Sequence, residues 1–508
     1  MKKYLAVLLG ITLLCGAFLA GCGRSGGGKT EIVIDGGGVA GNYNSSISMK
    51  PSAANPNPYN YLEQLADQWN KDSKFSSNYK IKINRNSING NRDSILSYVS
   101  TSSGPDILYQ TGTTIAEDMD KNYFVDVTDY LNEPNPYVEG NEKWADLYDE
   151  QELEASRAPN GNFYSIGIDR NVAGIMYNKD IFERAGITDP ILTYGDLIKA
   201  MDQIAERCPD VMPFSLVDNW YDIVLESGLY GSQIDAYDVI RENGIVDTEE
   251  LSRASSLDMY KIMNGKNLDP RYEAYLNLIK LLRDDKYMDI NSIGNTAVSE
   301  FIAGNIAMVS CLGKSMVQVQ RQSEINVGAM GYPVLTQDDI DQYAGVKGVS
   351  IDERGVRRGI SGIGTGWWIS SAAVKKGTVE ACVDFLQFIT APENNVPMVN
   401  KLGYAIPLDT DAAVESDDMN VLFKEMIEQF NEDVEDGFFE FHVFNSWGIM
   451  GFDCWSNFVV QSANLFNGSD NLTVAESINK QFLSSRDNLI EQNKKSGAWN
   501  VDGWAELG

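Results

Sequence analysis

Two hydrophobic periods alternate along the first part of the chain. Residues 31–35 (EIVID) and 79–84 (YKIKIN) have the pattern of strands, and 106–109 (DILY) is a short apolar run entered through Gly104-Pro105. Between them, Leu62, Leu65, Ala66 and Trp69 recur at helical spacing within 61–70, and 93–100 reads as a second helix. Strand, helix, strand, helix, strand predicts a parallel sheet with covering helices.

Further on, 115–121 reads as helix, 124–131 as a short turn and 161–167 as an extended segment. A strand over 172–178 runs into a helix starting at Asp180, and 193–205 is a helix opened by a threonine cap. A strand is expected over 213–217. The stretch 221–313 is mostly helical, including 272–282 and 297–303, and 297–303 leads into a strand at 306–310. Residues 326–330 form another strand. Four glycines fall within 359–366, just before a strand over 367–370. In that strand Trp367 and Trp368 must face opposite sides. An amphipathic helix over 379–389 follows, with more helix over 459–466 and 474–491. There is no internal repeat, no P-loop and no dinucleotide-binding glycine pattern.

Charge and length narrow the class. The net charge of -31 repels nucleic acid and anionic lipid surfaces, and its plain meaning is solubility. About 485 residues remain after the N-terminal leader, more than one core usually holds, so two domains are expected. The leader starts with Met1-Lys2-Lys3, and its apolar run over 5–20 falls short of the roughly 20 residues that span a bilayer. It ends in Leu19-Ala20-Gly21-Cys22, which resembles the bacterial lipobox. The resemblance implies that Cys22 becomes a lipid-modified N-terminus and that 23–28, rich in glycine, is a flexible tether. Cys208, Cys311, Cys382 and Cys454 are far apart and read as buried thiols, with one long-range bridge left open. His442 is the only histidine, which excludes histidine-pair and zinc-cluster chemistry, and no motif calls for a cofactor. As a lone histidine it reads as an ordinary surface or core residue.

Four segments in order resemble the family 1 extracellular solute-binding proteins of ABC importers, whose best-known branch binds maltose and other sugars. The first is Gly104-Pro105-Asp106-Ile107, followed by Asn122-Tyr123-Phe124-Val125-Asp126-Val127. The second spans 163–200, with Tyr177-Asn178-Lys179-Asp180, Phe182, Ala185-Gly186 and Thr193 at the family's positions. Here Asn178 and Asp180 can cap a helix and Gly186 can end it in a left-handed conformation. The third is 301–308 (FIAGNIAM), with the strand that ends at Pro333. The sugar-binding branch often places a tryptophan near position 314, where this chain has Lys314. The fourth runs from Gly362 to Pro407, with Phe385, Phe388 and Ile389 as core.

The resemblance implies an α/β, periplasmic-binding-protein-like fold of type II, with two α/β lobes, a hinge and an interlobe cleft. Residues 1–21 would be the lipoprotein signal peptide and 22–29 the tether. The N-terminal lobe would be 30–166 plus 367–410, and the C-terminal lobe 167–362 plus 411–508. Gly167, Gly362, Gly364 and Gly366 fall at the expected crossings, either as hinges that absorb backbone rotation or as ordinary turn glycines. The implied role is non-enzymatic. A monomer, lipid-anchored on the extracellular face of a Gram-positive cell membrane, would capture an oligosaccharide by lobe closure and deliver it to an ABC importer permease.

A neutral sugar wants carboxylates, amides and arginine for its hydroxyls and aromatic rings for its C–H faces. Asp169 and Arg170 follow the first crossing and could serve the hydroxyls or form an interlobe ion pair. Trp220 and Tyr221, preceded by Asp218 and Asn219, follow the strand at 213–217. Trp367 directly follows the glycine-rich crossing, whereas Trp368 reads as core. The aromatic segment 438–455 offers Trp447, Asp453 and Trp455. Tyr109 lies at the carboxyl end of a strand, where open α/β sheets bind ligands.

Other functions are conceivable. The same fold could hold a polyol, a glycerol phosphate, a polyamine or a metal ion. An adhesive surface lipoprotein is another reading. A glycosidase needs two carboxylates across a cleft, but among 72 acidic residues a chance pair carries no weight.

Overall fold

The computed structural model describes residues 28–35, 61–84, 92–109, 121–158, 162–218, 221–222, 224–225, 229, 270–289, 291–351, 363–364 and 366–433. The predicted helices at 459–466 and 474–491, and all but the last residue of the one at 115–121, lie outside these residues.

Nine strands are described: β1 (Thr30–Asp35), β2 (Tyr79–Ile83), β3 (Ile107–Tyr109), β4 (Ser165–Gly167), β5 (Ala173–Asn178), β6 (Met212–Leu216), β7 (Ile306–Leu312), β8 (Val327–Met330) and β9 (Gly366–Ile369). They make two sheets, ordered β2-β1-β3-β9-β4 and β6-β7-β5-β8. Each sheet is the centre of one α/β lobe.

In the first lobe β1 pairs in parallel with β2 and β3, as the strand–helix alternation predicts. β9 then enters between β3 and β4, antiparallel to both. One face packs Ile32, Ile34, Ile81, Ile107, Ile166, Trp367 and Ile369 against helices Tyr61–Asp72 and Val379–Thr390. The other face puts Leu108 and Trp368 with Ile95, Val99, Phe124 and Tyr164. The two adjacent tryptophans of β9 are therefore split between the faces by the strand pleat.

The Gly104-Pro105-Asp106 motif has a structural explanation. The Asp106 carboxylate is fully buried and accepts from the Val33 amide and the Thr378 hydroxyl, each at 2.8 Å, and from the Lys376 ammonium at 2.7 Å. One side chain thus joins β1, the start of β3 and the loop before helix Val379–Thr390. Within that helix the buried Asp384 carboxylate accepts hydrogen bonds from the Trp69 indole, the Ser73 hydroxyl and the Tyr137 phenol. A buried charge persists only when it is paired in this way.

The second sheet is mixed. β5 lies between β7 and β8, antiparallel to both, and β6 joins β7 in parallel. Ala173, Ile175, Phe214 and Met308 face one core cluster, while Val172, Met176, Val309 and Cys311 face another. The latter cluster is closed by Ala413, Met419, Leu422, Phe423 and Met426, so the chain has re-entered this lobe by residue 413. The helix Lys179–Ala185 begins as its caps dictate. The Asn178 side chain accepts from the Asp180 and Ile181 amides, and Gly186 ends the helix at φ 69. Residues 124–131, expected as a turn, contain the short helix Thr128–Leu131. Cys208, Cys311 and Cys382 are buried free thiols. No described helix is long and apolar enough to cross a membrane.

Candidate functional site

Among the described residues, three stretches of chain cross between the lobes. β4 runs out through Ile168, Asp169 and Arg170 into β5. Ile363 and Gly364 return toward β9. Ala405 and Ile406 lead from the first lobe to the helices that close the second. The strand register shows which sheet ends meet here. Tyr109 pairs with Trp367, Gly167 with Gly366, and Ala173 with Leu312. The carboxyl ends of β3 and β4, and in the second lobe those of β6 and β7, therefore face the crossings. Strand carboxyl ends are where open α/β sheets hold ligands.

The crossings are bound to one another. Arg170 and Ile406 exchange both backbone hydrogen bonds, at 2.8 and 2.9 Å, and the Gly364 amide donates to the Asp169 carbonyl at 3.0 Å. The Asn395 amide group donates to the Ile168 carbonyl at 2.8 Å and its oxygen accepts from the Leu408 amide at 3.0 Å. The Tyr148 phenol donates to the Gly167 carbonyl at 2.9 Å, and burial pushes that phenol's pKa up.

Two carboxylates stand at the strand ends, one per lobe. Asp169 is 2 % exposed. Burial, and after it the Asp169 charge, raise the pKa of the half-buried Tyr109 phenol, which therefore stays a neutral donor. Asp218, at the end of β6, accepts from the Leu312 amide at 3.0 Å. Burial first and Asp218 second push up the Cys311 thiol and the Tyr332 phenol.

The residues singled out in the sequence meet different fates. Tyr109 and Asp169 both stand at the crossing end of the first sheet, near enough for the Asp169 charge to act on the phenol. Arg170 is engaged elsewhere, with its guanidinium on Glu152 and Thr410. Tyr221 has no exposed surface. It stacks on Tyr332 with ring centroids 4.9 Å apart and donates to the Pro333 carbonyl, so it is core and not cleft wall. Trp367 is also buried, in the first-lobe core, and its indole N–H finds no partner among the described residues. Gly167, Gly364 and Gly366 have ordinary φ values, and what each answers is crowding rather than a special backbone angle. A Cβ on Gly167 would stand 2.8 Å from Ile363 Cγ2, one on Gly364 2.7 Å from Asp169 Oδ1, and one on Gly366 2.3 Å from Ser165 Oγ. Cys22, Asn219, Trp220, Gly362, Trp447, Asp453 and Trp455 lie outside the described residues.

Sequence reasoning missed Glu152, Tyr148, Asn395 and Thr410. Glu152, Tyr148 and Thr410 belong to no local motif, and Asn395 lies in the fourth family segment with nothing local to mark its role. The one available signal was that an arginine at a buried crossing must find a carboxylate.

A family profile described as the bacterial extracellular solute-binding proteins matches residues 64–422, well over half of the chain. The chain belongs to this family. As a solute-binding protein its business is holding a molecule, not transforming it. Among curated protein sequences none matches it significantly. Solved structures with the same fold include a family 1 extracellular solute-binding protein from Bifidobacterium longum subsp. infantis, at 15% identity and TM-score 0.58, covering 90% of this chain and 100% of that one. An ABC substrate-binding protein from Listeria monocytogenes, in complex with cycloalternan, is 15% identical with TM-score 0.59 over 92% of this chain and 100% of its own. A maltose/maltodextrin-binding domain from Bdellovibrio bacteriovorus, bound to maltotriose, is 15% identical with TM-score 0.54 over 91% and 100%. At such identities the likeness is one of fold, and it agrees with the two-lobed architecture of this solute-binding protein.

Proposed function

We propose that this solute-binding protein captures a neutral oligosaccharide outside the cell and delivers it to the permease of an ABC importer. The observation that carries the reading is the placement of Tyr109 and the buried Asp169 at the carboxyl ends of β3 and β4, with Asp218 just beyond the corresponding end of β6 in the second sheet. A donor and carboxylate acceptors are what sugar hydroxyls require. Asn219 and Trp220 directly follow Asp218, and with Trp447, Asp453 and Trp455 they would supply amide, carboxylate and ring faces. The cycloalternan and maltotriose complexes of proteins with this fold support the same ligand class.

The protein acts by movement. Contacts from both lobes give the ligand higher affinity for the closed form, so binding shifts the population toward closure. The closed shape is what a permease would recognise. The domains would be the two lobes 30–166 plus 367–410 and 167–362 plus 411–508, with Gly167, Gly362, Gly364 and Gly366 at the crossings. Cys22 would carry the lipid that holds this monomer at the outer face of the membrane, with 22–29 as the tether.

A thermal-shift screen against neutral oligosaccharides, with polyols, glycerol phosphate and polyamines alongside, tests the reading. A ligand at about 100 times its Kd should stabilise the protein by about 2.7 kcal/mol through mass action. A shift with a polyol, phosphate or polyamine and with no glycan would reject the sugar assignment.

A further inference from the structure

Arg170 is tied to each of the described crossings. Its backbone exchanges two hydrogen bonds with Ile406 and forms a bridge with Ile363. Its guanidinium forks onto Glu152, with Nε at 2.8 Å from Oε2 and Nη2 at 2.6 Å from Oε1, while Nη1 donates to the Thr410 hydroxyl. The side chains of Arg170 and Glu152 are only 14 % and 5 % exposed.

The helices that carry the partners pack into different cores. Glu152 sits on helix Glu150–Ala155, whose Leu153 is in the first-lobe core. Thr410 opens helix Thr410–Glu415, whose Ala413 is in the second-lobe core. One planar group therefore spans the lobes at the point where the chain crosses. A hinge moves by backbone rotation in a few residues. A residue held by two backbone hydrogen bonds and a bidentate ion pair cannot slide along its neighbours. Rotation about it is the movement left to the lobes.

We infer that Arg170, held by Glu152 and Thr410, is the pivot of lobe movement, a positioning residue that limits how far the empty lobes open. It acts through the lobes and not by touching solute. An arginine used for sugar hydroxyls would instead leave the ligand-free shape unchanged when altered. The inference rests on the closing movement proposed above, but its test contains no ligand, so it can fail while the sugar assignment stands.

Spin labels at Asp72→Cys in the first lobe and Asp189→Cys in the second, both exposed, report the interlobe distance in the full, ligand-free chain in detergent. The chain without added cysteines supplies the background. Arg170→Lys keeps the charge but cannot fork, and Glu152→Gln keeps the shape but loses the charge. Each should add a second distance population absent from the parent. The double variant should be no broader than either single one, because both break the same contact. Thr410→Val removes only the hydroxyl acceptor and should broaden the distribution in the same direction. It carries the test if the charge variants fail to fold. Folded variants with the parent's distance distribution would overturn the pivot, as would broadening that adds fully in the double variant.

Discussion

Asp106 and Thr378, 272 positions apart, are joined by a 2.8 Å hydrogen bond inside the first lobe. The same carboxylate also holds the Val33 amide, so the entry to β3 is tied at once to β1 and to the helix that follows β9. Asp106→Ala should lower stability by about 1–3 kcal/mol, since it takes the acceptor from the Val33 amide and leaves the Thr378 hydroxyl only its longer, 3.3 Å bond to the Ala373 carbonyl. Lys376 is partly exposed and can turn to water, so its ion pair adds little. Asp106→Asn keeps one acceptor oxygen and should lose less. Urea unfolding of the two variants measures the difference. Equal losses would mean that the charge, not the hydrogen bonding, is what matters.

Gly167 is pressed against Ile363 where two crossings meet. Gly167→Ala should cost about 1–3 kcal/mol by overpacking. Ile363→Ala alone removes the obstructing atoms, and the double variant Gly167→Ala with Ile363→Ala should recover most of the loss. A double-mutant cycle in denaturant reads this coupling. A cycle without coupling would show that the glycine serves some need other than room.

Tyr109→Phe should weaken glycan binding about tenfold, the usual worth of one lost hydrogen bond to a ligand hydroxyl. Burial and the Asp169 charge hold the phenol's pKa above 10.0, so the O–H remains a donor across about pH 5 to 9. Affinity titrated over that range should not change through this group. Unchanged affinity in Tyr109→Phe would remove Tyr109 from the site.

The helix Tyr194–Arg207 begins with a reciprocal cap, in which Thr193 accepts from the Asp196 amide and the Asp196 carboxylate accepts from the Thr193 amide. Partial burial raises the Asp196 pKa, but hydrogen bonds from Lys199 and Thr193 outweigh it and hold it below 3.8. A depressed pKa favours the folded state above the unfolded value, and the benefit disappears as pH falls through the folded one. Asp196→Asn should therefore cost at most about 1 kcal/mol near neutral pH and nearly nothing at about pH 2. Stability curves of wild type and variant at the two pH values check this, and an unchanged gap at low pH would contradict it.

Cys22→Ala should move the chain from the membrane fraction to the medium, since a peptide tether without acyl chains has no lasting hold on a bilayer. Fractionation with an antibody to the folded lobes reads the outcome. Membrane retention of the variant would disprove the lipid anchor.

Local chemistry could be read directly along the chain. The helix from Lys179 is set by Asn178 before it and Gly186 after it, and the helix from Tyr194 by Thr193. Leu62, Leu65, Ala66 and Trp69 define the buried stripe of their helix, and the pleat alone separates Trp367 from Trp368. These features depend on residues a few positions apart, so the order of side chains is enough to specify them. The four ordered family segments extended that reading to the two-lobed fold.

Long-range pairing could not be read that way. Nothing near Gly366 shows that β9 will lie antiparallel between β3 and β4. Tyr221 has the composition of a cleft residue until Tyr332, more than a hundred positions on, covers its ring. Arg170 looks free to meet a sugar until Glu152 and Thr410 close around it. In each case a side chain's role depends on which distant backbone arrives beside it. Packing of whole elements settles that, because burial and the pairing of polar groups are satisfied across the assembled lobes rather than along the chain.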